Sequence, residues 1–258
     1  MSTNESRPVR TREHGNTLVI TIDRPRARNA VNAAVAHDLA EAVRRLDEQP
    51  ELRVGVLTGA GDVFSAGMDL KAAANGESAT VEGGGFAGIT EAEPAKPLVA
   101  AVEGFAMGGG FELALACDVV VAGSGAQFAL PEVRRGLIAG GGGAVRLPKR
   151  IPYHLAMELL LTGETITARR AAELGVVNHT VEDGSAESEA LELAARISAN
   201  APLAVAAAKR VARTSARQSE QQAFTTQRDE LRALLASEDF AEGARAFAEH
   251  RSPRWSAR

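Results

Sequence analysis

The chain is poor in several things at once. Only one of its 258 residues is cysteine, Cys117, so no intramolecular disulfide can hold it and the fold must rest on buried apolar surface. No stretch approaches the ~20 uninterrupted apolar residues that a membrane-spanning helix needs, since even Phe111 to Ala122 is broken by Glu112 and Asp118. Positive charge is not in excess. With 29 Lys and Arg against 33 Asp and Glu, the formal net charge is −4, which supplies no field to gather nucleic acid or an anionic membrane. Aromatic residues are 4% of the chain, and none interleaves the cations Lys209, Arg210, Arg213 and Arg217, so that segment lacks base-stacking surfaces and reads as a solvated helix face. The stretch Met1 to Arg12 is polar, without the apolar core of a signal peptide.

Familiar site motifs are missing too. His14, His37, His154, His179 and His250 are scattered without metal-ligand spacing, and no Walker pattern, G-x-S-x-G elbow or H-E-x-x-H occurs. Gly83, Gly85 and Gly88 satisfy G-x-G-x-x-G, but the residues before them do not read as the strand a dinucleotide fingerprint requires. The expectation is a cytoplasmic protein that acts on a small soluble ligand, with no metal, nucleic-acid or membrane partner.

What is present is an α/β pattern. At 45% hydrophobic the chain can bury a sizeable single core. Thr17 to Asp23, Arg53 to Thr58, Leu98 to Val102 and Val119 to Ala122 read as strands, and a helix is expected from Ala33 to Asp47. Beyond Gly136 the segments Tyr153 to Leu161, Ala168 to Leu174, Ser185 to Asn200, Leu203 to Ala216, Glu220 to Leu235 and Asp239 to Glu249 read as helices. The stretch Ala72 to Gly88, rich in Gly, Ala and Ser, is expected to form a mobile loop or lid.

Two glycine-containing turns follow apolar strands, Phe64-Ser65-Ala66-Gly67-Met68-Asp69-Leu70 and Gly104 through Glu112. In the second, Gly108-Gly109-Gly110 runs into FELALAC, so a helix N-terminus with unpaired amides falls near Gly109, open to an anion. Glu112 lies one turn into that apolar helix. Glu132 follows Pro131 after the strand-like Ala126 to Leu130, with room for the chain to return. Two carboxylates sharing a dry pocket raise each other's proton affinity, which lets one serve as acid and the other as base. The residues alone leave alternatives open: three glycines also serve tight packing, and paired glutamates are common on surfaces.

Taken together, ITIDRPRARNAVN, FSAGMDLK, GFAMGGGFELALACD, FALPE and FAEHRSPRW resemble the enoyl-CoA hydratase (crotonase) superfamily along nearly the whole chain. Within it, DLKAAANGE, GGFAG, GGGFELALACD, FALPE, VRLPK and the Trp-containing tail are most similar to the carnitinyl-CoA dehydratase (crotonobetainyl-CoA hydratase) branch. The resemblance implies a spiral of ββα turns over residues 1–195 and a helical trimerisation region over 196–258, one functional domain overall, assembled as a trimer or dimer of trimers. It implies reversible hydration of a trans-2-enoyl-CoA, with coenzyme A as part of the substrate and no separate cofactor. By the same resemblance, the amides of Met68 and Gly109 grip the thioester oxygen, and Glu112 activates water. Glu132 protonates the α-carbon, and the Gly140 amide helps to hold the water. Substrate contacts would fall at Ala27, Arg28, Ala30, Ala66, Asp69, Leu70, Met107 and Pro131.

The sequence departs from the family's habit at Ala139, often proline, in the glycine-rich run Gly140 to Gly143, and at His250, often lysine. Other readings of the same residues are a double-bond isomerase, or a non-catalytic acyl-CoA or RNA-binding protein. The acyl pocket would be shaped by Phe86, Phe105, Phe111 and the Ala72 to Gly88 stretch.

Overall fold

A computed structural model describes residues 7–258, so the first half of the polar Met1 to Arg12 stretch lies outside the described residues. Four of the expected strands form the middle of a six-stranded sheet. Its order is Val9–His14, Thr17–Ile22, Val54–Gly59, Leu98–Val102, Val119–Gly123 and His179–Val181. The first pair is antiparallel and the rest are parallel. Parallel strands are covered on both faces, which is why the central ones read as continuous apolar runs. The edge strand Val9–His14 gave no such signal, because after Val9 its residues are exposed.

Two of the parallel strands hand the chain to a second, smaller sheet and then to a helical turn. After Leu98–Val102 comes Phe105–Met107 and the helix Gly109–Ala116; after Val119–Gly123 comes Gln127–Ala129 and a 3-10 turn, Pro131–Arg135. Phe105–Met107 and Gln127–Ala129 pair in parallel. Single bridges, Ser65 to Ala106 and Val31 to Met68, continue the same layer through the two earlier turns. The result is the expected spiral of ββα turns. Asn29 pins its first turns together. Fully buried and left-handed at φ 53°, it donates from its side-chain amide to the carbonyls of Ala60 (2.9 Å) and Val63 (2.6 Å) and accepts from the Arg24 amide (2.9 Å).

The two faces of the large sheet are covered differently. Val54, Val56, Val99, Ala101 and Val121 meet the helix Ala186–Ser198 through Ala186, Ala190 and Ala194, small residues repeating every fourth position. That helix runs through the 195/196 division. The opposite face holds the larger core, including Val35, Leu39 and Leu46 of the helix Ala33–Glu48. Beyond it, helices Pro202–Ser215, Glu220–Leu235 and Glu238–Ala248 bury little of themselves, and the middle one buries no residue. Among the described residues no helix is long and apolar enough to cross a membrane.

The Ala72 to Gly88 stretch differs from the expected lid. It closes a short helix, Leu70–Ala74, and a hairpin, Thr80–Val81 with Gly85–Phe86. Ala79 and Ala87 are buried and joined by the Ala87 amide donating to the Ala79 carbonyl at 2.7 Å. Alanine-rich composition hid these anchors, because small side chains carry little hydrophobic signal.

Asn29→Ala leaves two half-buried carbonyls and one half-buried amide without their protein partner, at about 1 kcal/mol or more each. We expect a loss of about 3 kcal/mol or more in urea unfolding; stability within ~0.5 kcal/mol of the parent would remove Asn29 from its organising role.

Candidate functional site

Backbone pairing brings the two glycine turns together. The Ala66 amide donates to the Arg28 carbonyl (2.9 Å), Val31 to Gly67 (2.8 Å) and Asp69 to Val31 (2.9 Å), which lays segment 28–31 along 66–69. The Ser65 amide donates to Phe105 (3.1 Å), and Met107 donates back to Ser65 (3.0 Å). At the crossing, a Cβ on Gly67 would lie 2.6 Å from the Met107 carbonyl oxygen and 2.7 Å from the Gly109 nitrogen. Gly67 also has φ 83°, so glycine is needed there on both counts. Gly109 opens its helix, and among the described residues the amides of Met68 and Gly109 donate to no protein group. Two main-chain donors are thus left available on adjoining turns, one of them at a positive helix end.

The carboxylates arrive by the same register. Met107 pairs with Ala129, and the Gly108 amide donates to the Ala129 carbonyl (2.8 Å). Glu112 then sits one helical turn past one strand end, and Glu132 just past the other. A Cβ on Gly108 would lie 3.1 Å from Glu132 Oε1. Glu112 is only 3% exposed and accepts from the Gly143 amide at 2.8 Å. Burial pushes its pKa up to about 7, opposed by the Gly143 and Gly141 amides and reinforced by the charge of Glu132. Glu132 is also raised, mainly by burial, and its buried Oε2 has no hydrogen-bond partner. Two protonatable groups, one of which feels the other's charge, on turns next to two free donors, can move protons at a bound carbonyl compound.

The other expected positions divide. Arg28, Ala30, Ala66, Asp69 and Leu70 lie on the paired segments beside Met68, with Ala27 at the turn before them. Met107 and Pro131 flank the strand ends that carry the two glutamates. The Asp69 side chain is already engaged. It accepts from the Ala72 amide (3.2 Å) and pairs with Arg24 (3.0 Å), and although burial opposes ionisation these partners hold it below the ordinary carboxylate range. Gly140 is exposed, with only the Ile138 carbonyl within 4 Å of a Cβ placed on it. The amides that reach Glu112 belong to Gly141 and Gly143 instead. A Cβ on Gly141 would stand 2.6 Å from Glu112 Oε2, a constraint that only the repeated glycines hinted at.

Phe111 does not shape the pocket. It is 1% exposed and packs on Phe128 with ring centroids 5.2 Å apart. Phe86 does reach the site, with its ring against Gly109. Arg146, which sequence reasoning passed over, donates to the Thr90 carbonyl and touches Gly142, tying the glycine turn to the segment after the hairpin. Cys117 is fully buried and its thiol is pushed up to about 12 by burial, so it is no nucleophile. Among the described residues no cluster of three His, Cys, Asp or Glu is arranged to hold a metal ion.

Holding Glu112 in a dry pocket has a sign in stability. Its folded pKa lies above the unfolded 4.5, so the native state binds more protons and stability is lost as pH rises from about 4.5 through about 7. The cost above pH 7 is on the order of 3 kcal/mol. Glu112→Gln is therefore expected to stabilise the protein by up to about that amount at pH 8 and hardly at all at pH 4; equal effects at both pH values in thermal or urea unfolding would contradict the burial argument.

The sequence matches the enoyl-CoA hydratase/isomerase family over residues 12–258. It is 44% identical over 252 residues to the carnitinyl-CoA dehydratase of Proteus mirabilis (strain HI4320), covering 95% of this chain and 96% of that one. With the enoyl-CoA hydratase EchA1 from Mycobacterium marinum it shares 53% identity and a TM-score of 0.96, covering 98% of this chain and all of the other. The carnitinyl-CoA hydratase from Mycobacterium avium is 47% identical at a TM-score of 0.80, again over 98% of this chain and 100% of that chain. The chain belongs to the enoyl-CoA hydratase/isomerase family.

Proposed function

We propose that this protein catalyses the reversible addition of water to a trans-2-enoyl-CoA, giving a 3-hydroxyacyl-CoA. The observation that carries this is the convergence of two raised carboxyl groups, Glu112 and Glu132, beside the free amides of Met68 and Gly109. The thioester oxygen accepts from those two amides. Glu112 takes a proton from water as its oxygen bonds to the β-carbon, the electron pair of the alkene moves onto the thioester oxygen, and Glu132 delivers a proton to the α-carbon. Elimination runs the same steps backwards. A developing enolate is poorly stabilised by water alone, and a fixed donor of this type is worth about 3 kcal/mol in the transition state. Coenzyme A enters as part of the substrate, lying along Ala27, Arg28, Ala30, Ala66, Asp69 and Leu70, with Met107 and Pro131 near the acyl group; no separate cofactor is needed. Gly140 is assigned to the water side of this pocket, beside the Gly141 and Gly143 amides that hold Glu112.

The helical region beyond the spiral core is assigned to assembly, as a homotrimer or dimer of trimers. What supports this is the exposed apolar set Phe224, Leu231, Leu235, Phe240 and Phe247 on helices that bury little else. A cytoplasmic place is assigned with this reading, and the lack of a nucleic-acid role fits the engaged cations of the Pro202–Ser215 helix and the turn after it. Lys209 pairs with Asp118 (2.7 Å), Arg210 with Glu230 (2.7 Å), and Arg213 and Arg217 with Glu93.

Glu112→Gln and Glu132→Gln should each lower kcat for hydration of crotonyl-CoA by on the order of 10²–10⁴, read as loss of enoyl absorbance. Wild-type activity in both variants would sink the assignment. Because Glu112 must be ionised to accept a proton and Glu132 protonated to give one, hydration should show two limbs, rising as Glu112 ionises near 7 and falling as Glu132 loses its proton, and a flat kcat profile from pH 5.5 to ~8.5 would place the pair elsewhere.

A further inference from the structure

The helix Gly143–Arg150 carries on its first turn a cation that the chemistry above does not use. The Arg146 amide donates to the Gly142 carbonyl at 2.8 Å, and its side chain folds back over the same turn, where a Cβ on Gly142 would collide with Nη1. Nη2 donates to the Thr90 carbonyl, just beyond the hairpin that ends at Phe86. Gly142 lies between the two residues whose amides reach Glu112. Gly143 donates to Oε1 at 2.8 Å, and a Cβ on Gly141 would lie 2.6 Å from Oε2. The guanidinium thus braces the turn that holds the carboxylate.

Its charge is unanswered by any close acid. Arg146 is half-buried, and among the described residues it forms no ion pair. Burial opposes its charge, and Arg150 on its own helix, Arg213 on the Pro202–Ser215 helix and Arg217 after it add repulsion. The acids of the segment beyond Thr90 are placed elsewhere: Glu93 pairs with Arg213 and Arg217, and Glu91 lies against Gly85. Glu112 is the group that attracts Arg146, and Arg146 in turn favours the anion of Glu112 against burial and the charge of Glu132. An arginine keeps its proton throughout the working range, so the positive charge that Glu112 feels is a fixed one. A lysine would bring the charge without the planar fork that reaches the Thr90 carbonyl and the glycine turn together.

We propose, on the hydration reading above, that Arg146 is the positioning residue of the base: its guanidinium holds the glycine turn on Glu112 and supplies the permanent charge that keeps Glu112 able to accept a proton. It acts through Glu112 and not on the substrate.

The test follows kcat for hydration of crotonyl-CoA against pH in Arg146→Met and Arg146→Lys. In Arg146→Met the rising limb is expected to move up by about one pH unit and kcat near pH 7 to fall about five-fold or more, while the falling limb set by Glu132, which Arg146 does not influence, stays in place. Arg146→Lys keeps the charge and should hold the rising limb within about 0.3 unit of the parent. A kcat that falls in Arg146→Met with the rising limb unmoved, or a limb that moves equally in both variants, overturns the proposal. Arg146→Gln, which loses the charge but can still donate to the Thr90 carbonyl, takes the place of the methionine variant should that one fail to fold. A second readout needs no substrate. Without Arg146 the folded state holds the Glu112 proton more tightly, so Arg146→Met should lower the urea midpoint more near pH 8 than near pH 4, and that difference should vanish in the Glu112→Gln background. An equal lowering at both pH values overturns the proposal. A wild-type protein that hydrates neither crotonyl-CoA nor crotonobetainyl-CoA sinks instead the hydration reading, and the unfolding comparison then still decides whether Arg146 governs Glu112.

Discussion

Everything at the site follows from how closely two stretches of main chain approach one another at Gly67 and Gly109. A side chain at either position would meet something: the Met107 carbonyl and Gly109 nitrogen for Gly67, the Phe86 ring for Gly109. In the reaction proposed above, separating the turns by the width of a methyl group would keep the amides of Met68 and Gly109 from sharing one thioester oxygen. The contact survives because the flanking segments are paired on both sides, Val31 with Met68 and Ser65 with Ala106, and because the buried Asn29 satisfies the carbonyls the turns leave behind. Preorganised donors of this kind need no rearrangement when charge develops, and that is their catalytic value.

The same closeness makes the carboxylates expensive. A helix N-terminus is favourable to an anion, yet Glu112 is raised because desolvation outweighs the Gly143 and Gly141 amides. An ordinary carboxylate near 4.5 would be ionised but a weak base at neutral pH; one near 7 is a far better proton acceptor. The stability lost by burying it and the reactivity gained are one quantity seen twice. Glu132, raised as well and with one oxygen unpartnered, completes a pair in which one member can hold a proton while the other lacks it.

Much of this was legible beforehand, and the exceptions share a cause. The central strands and the C-terminal helices carry strong apolar periodicity, and the glutamates stood out as charges in apolar surroundings. Phe105–Met107 pairs with Gln127–Ala129, which lies inside the strand-like Ala126 to Leu130, and so sets the register that brings those glutamates together, yet a three-residue strand such as Phe105–Met107 carries almost no pattern. Gly141 and Gly143 could be seen as a glycine cluster but not ranked, because which amide points at Glu112 depends on φ and ψ, to which the letter G is silent. The hairpin around Phe86 is not legible in the Ala72 to Gly88 stretch, since its anchors are alanines. Arg146 offered no signal, as its partner is a backbone carbonyl.

The C-terminal helices pose a different energetic question. Glu220–Leu235 has 16 residues, a capping box at Ser219 and Gln222, and no buried side chain. An isolated helix of that length is marginal in water, and its cap adds about 1 kcal/mol. The Arg210–Glu230 pair is partly exposed and adds little more. Packing along Pro202–Ser215 supplies part of what holds this helix, and covering the half-exposed Phe224, Leu231 and Leu235 would add about 1 kcal/mol or somewhat more for each. The helices that stand apart from the chemistry thus leave the apolar area that the assembly proposed above would cover, whereas the spiral core is already covered on both faces of its sheet.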